Sequence, residues 1–302
     1  MSCFARATAR ELVWASTVVV LFMACDGSDP TPPPDRQPSI EYRVVRTIGG
    51  GHLDDPMGIA IAPTEILVAD TGHARVARFT SGGHPRGDIE GEGLELVRPM
   101  DVARTSDGAV WISDFGGDRV WRIADGQAEI VHAMGAPAGL GLAGEDVLAA
   151  AFYAHHIVRV RQSRAEVLLG EEGDGDGQLH YPTDVAEDEQ GALYVADSYN
   201  HRVQVFDREG RFVRVLDGGE SPLSVPVSVV TRGGVAHVAD SANHRVVALD
   251  VRTGDVRGEY RFDVPEGAPH TPARLAAEGD HLLAADPAGD VVLQLEVRRH
   301  GQ

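Results

Sequence analysis

Short apolar runs, each interrupted by a polar cluster, recur along most of this chain. The clearest is Leu193-Tyr194-Val195-Ala196-Asp197-Ser198-Tyr199-Asn200-His201-Arg202-Val203-Gln204-Val205-Phe206. Runs this short, rich in Val and aromatics and bounded by Ser, Asn and Gly, predict strands rather than helices. The pattern returns as Ile66-Leu67-Val68-Ala69-Asp70 then Arg75-Val76, as Val110-Trp111-Ile112-Ser113-Asp114 then Arg119-Val120, and as Ala236-His237-Val238-Ala239-Asp240 then Arg245-Val246. Weaker copies stand at Val147-Leu148-Ala149-Ala150-Ala151 and His281-Leu282-Leu283-Ala284-Ala285-Asp286, making six.

A Pro precedes each copy: Pro56, Pro99, Pro137, Pro182, Pro226 and Pro272, at spacings of 43, 38, 45, 44 and 46 residues. A period of this length with four short strands per unit predicts propeller blades. Pro opens the innermost strand, where its missing N–H costs no ladder bond. The second strand ends at the repeated Asp, a turn follows, and Arg opens the third. The residue before the Asp is small in every copy, which fits tight packing between tapered blades. The Asp and Arg of Asp70–Arg75, Asp114–Arg119, Asp197–Arg202 and Asp240–Arg245 should face each other across the hairpin, each pair contributing roughly 0.2–1 kcal/mol. Blade 3 replaces both partners together (Ala151, His156), whereas blade 6 keeps Asp286 beside Val291.

The chain therefore reads as an all-β, six-bladed propeller. The last repeat ends at a third strand, Val291–Leu295, with no fourth after it. The segment around 41–48 resembles the outer strand Phe212–Leu216 and is expected to complete that blade, closing the ring and removing exposed sheet edges.

The ends add a location. Arg6 and Arg10 precede an apolar stretch, Leu12–Ala24, of signal-peptide length and too short for a span of roughly 20 residues. It ends in Leu21-Phe22-Met23-Ala24-Cys25, which resembles a bacterial lipobox with Cys25 as the lipidated residue; an ordinary cleaved signal is the alternative. A Pro-rich polar stretch follows. The expected organisation is a signal peptide over 1–24, a tether over 25–39 and a propeller over 40–302, anchored to the bacterial cell envelope through lipid, periplasmic or on the outer face. Cys3 lies in the signal, so the propeller has no disulfide. The 302 residues hold 46 acidic and 27 basic residues, all of the latter Arg, for a formal charge of −19. That balance argues against nucleic acid.

The Val-Ala-Asp-Ser-x-Asn-His-Arg-Val core and the opening Gly177-Gln178-Leu179-His180-Tyr181-Pro182-Thr183-Asp184-Val185-Ala186 resemble NHL repeats, over about residues 41–296. The resemblance implies a six-bladed, TolB-like propeller that binds protein or ligand on one face. It is also distantly similar to gluconolactonase-type hydrolases and peptidyl-amidoglycolate lyases, which are metal-dependent enzymes. The lyase's metal-His and catalytic Tyr and Arg motifs are not recognisable here. The expected role is thus a monomeric binding or scaffold module for an envelope or extracellular protein or a small ligand. The alternative is a hydrolase or lyase with a metal, Ca or Zn, at the channel mouth.

Candidate residues gather on one rim. The third residue after each Pro marker begins is Gly58, Asp101, Gly139, Asp184, Ser228 or Arg274. Asp101 and Asp184 could offer hard oxygen ligands to a cation, or could bond local backbone N–H groups. His180 and His270 each precede their Pro by two residues and could share a zinc, for which a third ligand is not evident. His201, His244 and His73 read as structural. Glu172-Gly173-Asp174-Gly175-Asp176-Gly177 lacks the closing Glu of a calcium loop and reads as a flexible connection. The most irregular turn is Phe152-Tyr153-Ala154-His155-His156, with aromatics where other blades are small and polar. Such broken local rules mark candidate functional sites; the alternative is a drifted turn whose rings pack on a neighbour. With His180, Tyr181 and Asp184 it forms a candidate patch over blades 3 and 4.

Overall fold

The structure, a computed structural model, describes residues 39–161, 164–262 and 270–300. The expected signal, Cys25 and nearly all of the expected tether lie outside these residues. The described residues form strands and 3-10 turns, arranged as six four-stranded antiparallel sheets. Five blades run in chain order from inner to outer strand. The sixth is composite: inner strand Leu275–Glu278, then His281–Asp286, then Val291–His300, with Ser39–Ile48 from the other end of the chain as its outer strand. Its register runs from Ser39 opposite His300 to Ile48 opposite Val292. The expected closure is thus present and begins two residues earlier than 41.

The core lies in the seams. Each of the six clusters of buried apolar residues draws on two adjacent blades, and together they complete the circle. Ala69, Ser113, Ala150, Ala196, Ala239 and Ala285 are all fully buried, as close blade packing requires. Ser113 also donates to the Ala138 carbonyl of the next blade at 2.5 Å, and Thr71 and Ser198 donate likewise to Pro99 and Pro226.

The closing strand is locked to blade 5 as well as to blade 6. Tyr42 Oη bonds His237 Nδ1 at 2.6 Å with both side chains buried. A Cβ at Gly258, on the outer strand of blade 5, would lie 1.9 Å from the Ile40 carbonyl oxygen, so only glycine allows this approach.

The four Asp–Arg pairs stand directly opposite in the strand register, as expected. Their Nε–carboxylate distances are 2.7, 3.4, 2.8 and 2.9 Å in blades 1, 2, 4 and 5. In blade 6 His270 takes over from the missing Arg, its Nδ1 2.5 Å from Asp286. Each Asp does more than pair. It also accepts the backbone N–H of a residue in the loop entering its own blade: Asp54, Arg98, His180 and Ser224, at 2.7–2.8 Å.

Candidate functional site

Two regions contain the candidate residues. The first is the channel around the propeller axis. Asp101 and Asp184 stand on the inner strands of blades 2 and 4, Arg274 immediately precedes that of blade 6, and the three meet there. The Arg274 guanidinium reaches Asp101 at 2.7 Å and also bonds Asp184 and the Leu140 carbonyl. Asp101 accepts from the Leu140 N–H at 2.7 Å, and Asp184 accepts from Ser228 Oγ and the Val229 N–H, each at 2.8 Å. Gly58 and Gly139 complete the ring: a Cβ at either would collide with these carboxylates. Burial pushes Asp101 up to about 7 against the pull of Arg274, with Asp184 adding to the rise; Asp184 is raised by burial too. Two carboxylates sharing one guanidinium cannot both ionise freely.

This arrangement does not fit a metal held by Asp101 and Asp184. A cationic guanidinium already lies between them, and among the described residues no group of three or more His, Cys, Asp or Glu could hold an ion. Among the described residues His180 and His270 belong to no group of three or more metal-ligating side chains; His270 Nδ1 bonds Asp286, and His180 stacks on His155.

The second region is on the rim formed by the blade turns. The 3-10 turns Phe115–Gly117, Phe152–Ala154 and Ser198–Asn200 bring together rings from three blades. Phe152 is the hub, with ring centroids 5.8 Å from Phe115, 5.1 Å from Tyr153, 4.9 Å from Tyr181 and 6.3 Å from Tyr199. Tyr181 continues the cluster to His155, His180 and Tyr199 at 4.5, 4.6 and 4.8 Å. Phe152 packs inward on the seam between blades 3 and 4, whereas Tyr153 and Tyr199 remain 62% and 55% exposed. Two outward aromatic rings side by side make this rim a candidate interaction surface.

Of the sequence-derived patch, Phe152, Tyr153, His155, His180 and Tyr181 do converge. Two members do not. Asp184 is buried in the channel. His156 opens the third strand opposite Ala151, where burial and the nearby His155 and His132 push its pKa down. His155 has a fixed duty: in the left-handed position that ends the turn (φ 57°), its Nδ1 accepts the Tyr181 N–H at 3.1 Å. Asp118 and Asp290, ending equivalent turns, hold Ala136 and Asp55 in the same way. Sequence reading missed Phe115 and Tyr199. Each stands in a turn otherwise made of turn formers, and that was the available signal.

An acidic loop borders the patch. Glu171, Glu172, Asp174 and Asp176 are exposed. The loop, expected to be flexible, is pinned at several points. Asn200 donates to the Gly173 carbonyl at 2.8 Å, Arg202 to that of Gly175 at 2.8 Å, and buried Gln204 bonds Gly177 N and Gln178 O. The backbone groups are thus spent inward, leaving the carboxylates outward.

The family model described as NHL repeat matches residues 179–206, the stretch that supplies His180, Tyr181 and Tyr199. The rest of the ring repeats that unit. This chain carries an NHL repeat within a six-bladed propeller. Protein lin-41 of Caenorhabditis elegans is 45% identical over 47 residues, 16% of this chain and 4% of that protein. NHL repeat-containing protein 2 of Homo sapiens is 25% identical over 237 residues, 55% of this chain and 33% of that protein. The matches thus cover about a twenty-fifth of the first and a third of the second. Among solved structures, a putative gluconolactonase superposes with TM-score 0.65 at 13% identity, covering 86% of this chain and 93% of its own. A virginiamycin B lyase from Staphylococcus aureus with quinupristin gives 0.60 at 14% identity, covering 85% and 99%. Likeness at these identities shows a shared fold, and a shared fold does not carry function across.

Proposed function

We propose that the NHL propeller is a binding module whose rim patch over blades 2–4 captures a basic polypeptide segment. The observation that carries this is the connected ring cluster with Tyr153 and Tyr199 turned outward beside the exposed carboxylates of the 171–176 loop. Aromatic faces and carboxylates side by side suit Arg and Lys, whose cations attract ring faces and whose stems lie along them. Arg98, already 5.7 Å over the Phe115 ring, shows the same pairing within the chain. The pinned loop lowers the ordering cost of binding.

A fluorescent Arg-rich peptide, followed by anisotropy at near-physiological salt, tests this. Tyr153→Ser with Tyr199→Ser should weaken binding about tenfold or more, as hot-spot aromatics do, without moving the melting temperature. An acidic peptide of the same length should not bind. Equal binding by the double variant would mean that the overall −19 charge attracts the peptide non-specifically.

The module is proposed to act at the bacterial envelope, tethered through lipid on Cys25; the signal-like start and Pro-rich spacer support this. Incorporation of a labelled fatty acid, lost in Cys25→Ala, checks it. Retained label in that variant would remove the anchor.

A further inference from the structure

On the rim opposite the aromatic patch, the hairpins of blades 2 and 3 enclose a groove of about 880 Å³. That size falls within the roughly 300–1,000 Å³ of ordinary ligand pockets. The turns at Asp107 and at Glu145–Asp146 line it, with Arg122 and Glu129 from the third and fourth strands of blade 2 and Arg161 from blade 3. Trp111, on the second strand of blade 2, lines it from within the seam. That side chain is 4% exposed and shares a buried cluster with Leu140, Val147 and Ala149 of blade 3.

The ions of the groove are paired with one another. Arg161 donates to both oxygens of Asp146 at 2.7–3.1 Å. Arg122 donates to Glu129 at 3.1 Å and lies 3.6 Å from Asp107. Pairing holds these long side chains in place, which lowers the ordering cost of binding. Four carboxylates face two guanidiniums, so the groove is net acidic. The Trp111 indole is the exception to this pairing. Its N–H is buried and has no acceptor among the described residues. A buried donor left unpaired is costly, and an acceptor oxygen brought to it recovers that cost. Trp121 Nε1 is also unpaired, but Trp121 lies in the seam between blades 1 and 2, away from the groove.

The geometry points to a site for a neutral saccharide of about two or three rings, lying against Trp111 with its hydroxyls across the paired ions. An anion would meet the excess of carboxylates. A cation brings donors alone and leaves the Trp111 N–H without an acceptor. A hydroxyl both donates and accepts. Sugar hydroxyls therefore accept from Trp111 and the guanidiniums and donate to the carboxylates, with no ion pair separated and with charge-assisted bonds on both sides. The site lies on the rim away from Tyr153 and Tyr199, so either proposal can fail alone.

The chain has three tryptophans, Trp14, Trp111 and Trp121, so indole N–H resonances in NMR report on the site directly. The full-length protein is titrated with neutral trisaccharides of glucose, galactose, mannose or N-acetylglucosamine, with spermidine and a sulfated trisaccharide as charged controls. With at least one neutral sugar the Trp111 resonance, assigned by its loss in Trp111→Phe, should shift saturably while that of Trp121 stays. By calorimetry Trp111→Phe should bind that sugar about fivefold more weakly and Arg161→Gln about tenfold, as the loss of a neutral and of a charged hydrogen bond predicts. Arg161 is 65% exposed, so its replacement leaves the fold intact. Tyr153→Ser with Tyr199→Ser should bind the sugar unchanged. No saturable Trp111 shift with any of the neutral sugars at millimolar concentration would overturn the assignment. So would tighter binding of either charged control, indifference to Arg161→Gln, or loss of the sugar in the tyrosine variant.

Discussion

Asp240 accepts bonds from Arg245 Nε, the backbone N–H groups of Ser224 and Val225, and Asn243 Nδ2, all with no exposed surface of its own. Arg245 is 1% exposed. Asp240→Ala would therefore leave Arg245 Nε, the Asn243 amide and two loop amides without their acceptor, while Glu259 still pairs the guanidinium at 3.0 Å. The expected loss is about 3–5 kcal/mol, read as a lower urea midpoint at unchanged slope. A loss under about 1 kcal/mol would return the pair to the surface class assigned from sequence. The pairing itself was legible because Asp and Arg recur five apart. The burial was not, because the amides that Asp240 caps belong to a loop some sixteen residues upstream.

Two other buried groups oppose each other in pH. Burial, with Arg299 and Arg232 nearby, lowers His237 to about 4, while Asp101 is raised to about 7. An unfolded His takes up its proton near 6.5, so His237 removes stability as pH falls from about 6.5 to 4, by up to roughly 3 kcal/mol. An unfolded Asp loses its proton near 3.9, so Asp101 removes stability as pH rises from about 4 to 7. Between pH 7 and 5 the wild type should show a shallow dependence. His237→Gln should become more stable over that descent and Asp101→Asn less stable, by denaturant midpoints. Parallel slopes in all three proteins would refute both assignments.

At the scale of elements, the acidic loop shows how one side chain decides whether a segment is ordered. Gln204 is fully buried on the third strand of blade 4, where the equivalent residues are Ala77, Trp121, Val158, Val247 and Leu293. It bonds Gly177, Gln178 and Asp197. Gln204→Ala should speed amide exchange across 171–178 and weaken the Arg-rich peptide, while blades 1 and 6 keep their protection. Unchanged loop exchange would show that Asn200 and Arg202 suffice. A polar residue in a buried apolar run was visible in the sequence, but its partners lie some 27 residues away and appear only once the blade is folded. Blade 3 was the reverse case. Its irregular turn stood out at once, yet its rings are half structural, since Phe152 fills the seam and His155 holds Tyr181.

For the whole molecule, ring closure depends on a strand from the opposite end of the chain, and a last repeat that stops at its third strand made that readable. What the pattern did not disclose is the further attachment of that strand to blade 5 through Tyr42, His237 and Gly258. Nor did it disclose that one guanidinium would fill the axis, because three residues on alternate blades carry no periodic signal. The rim that bears Tyr153 and Tyr199 is the proposed binding side. Hydrogen exchange with and without a saturating Arg-rich peptide tests that most directly. Protection should rise over 115–118, 152–155, 171–181 and 198–201, with the opposite rim unchanged; protection on the opposite rim, or spread evenly around the ring, would contradict it.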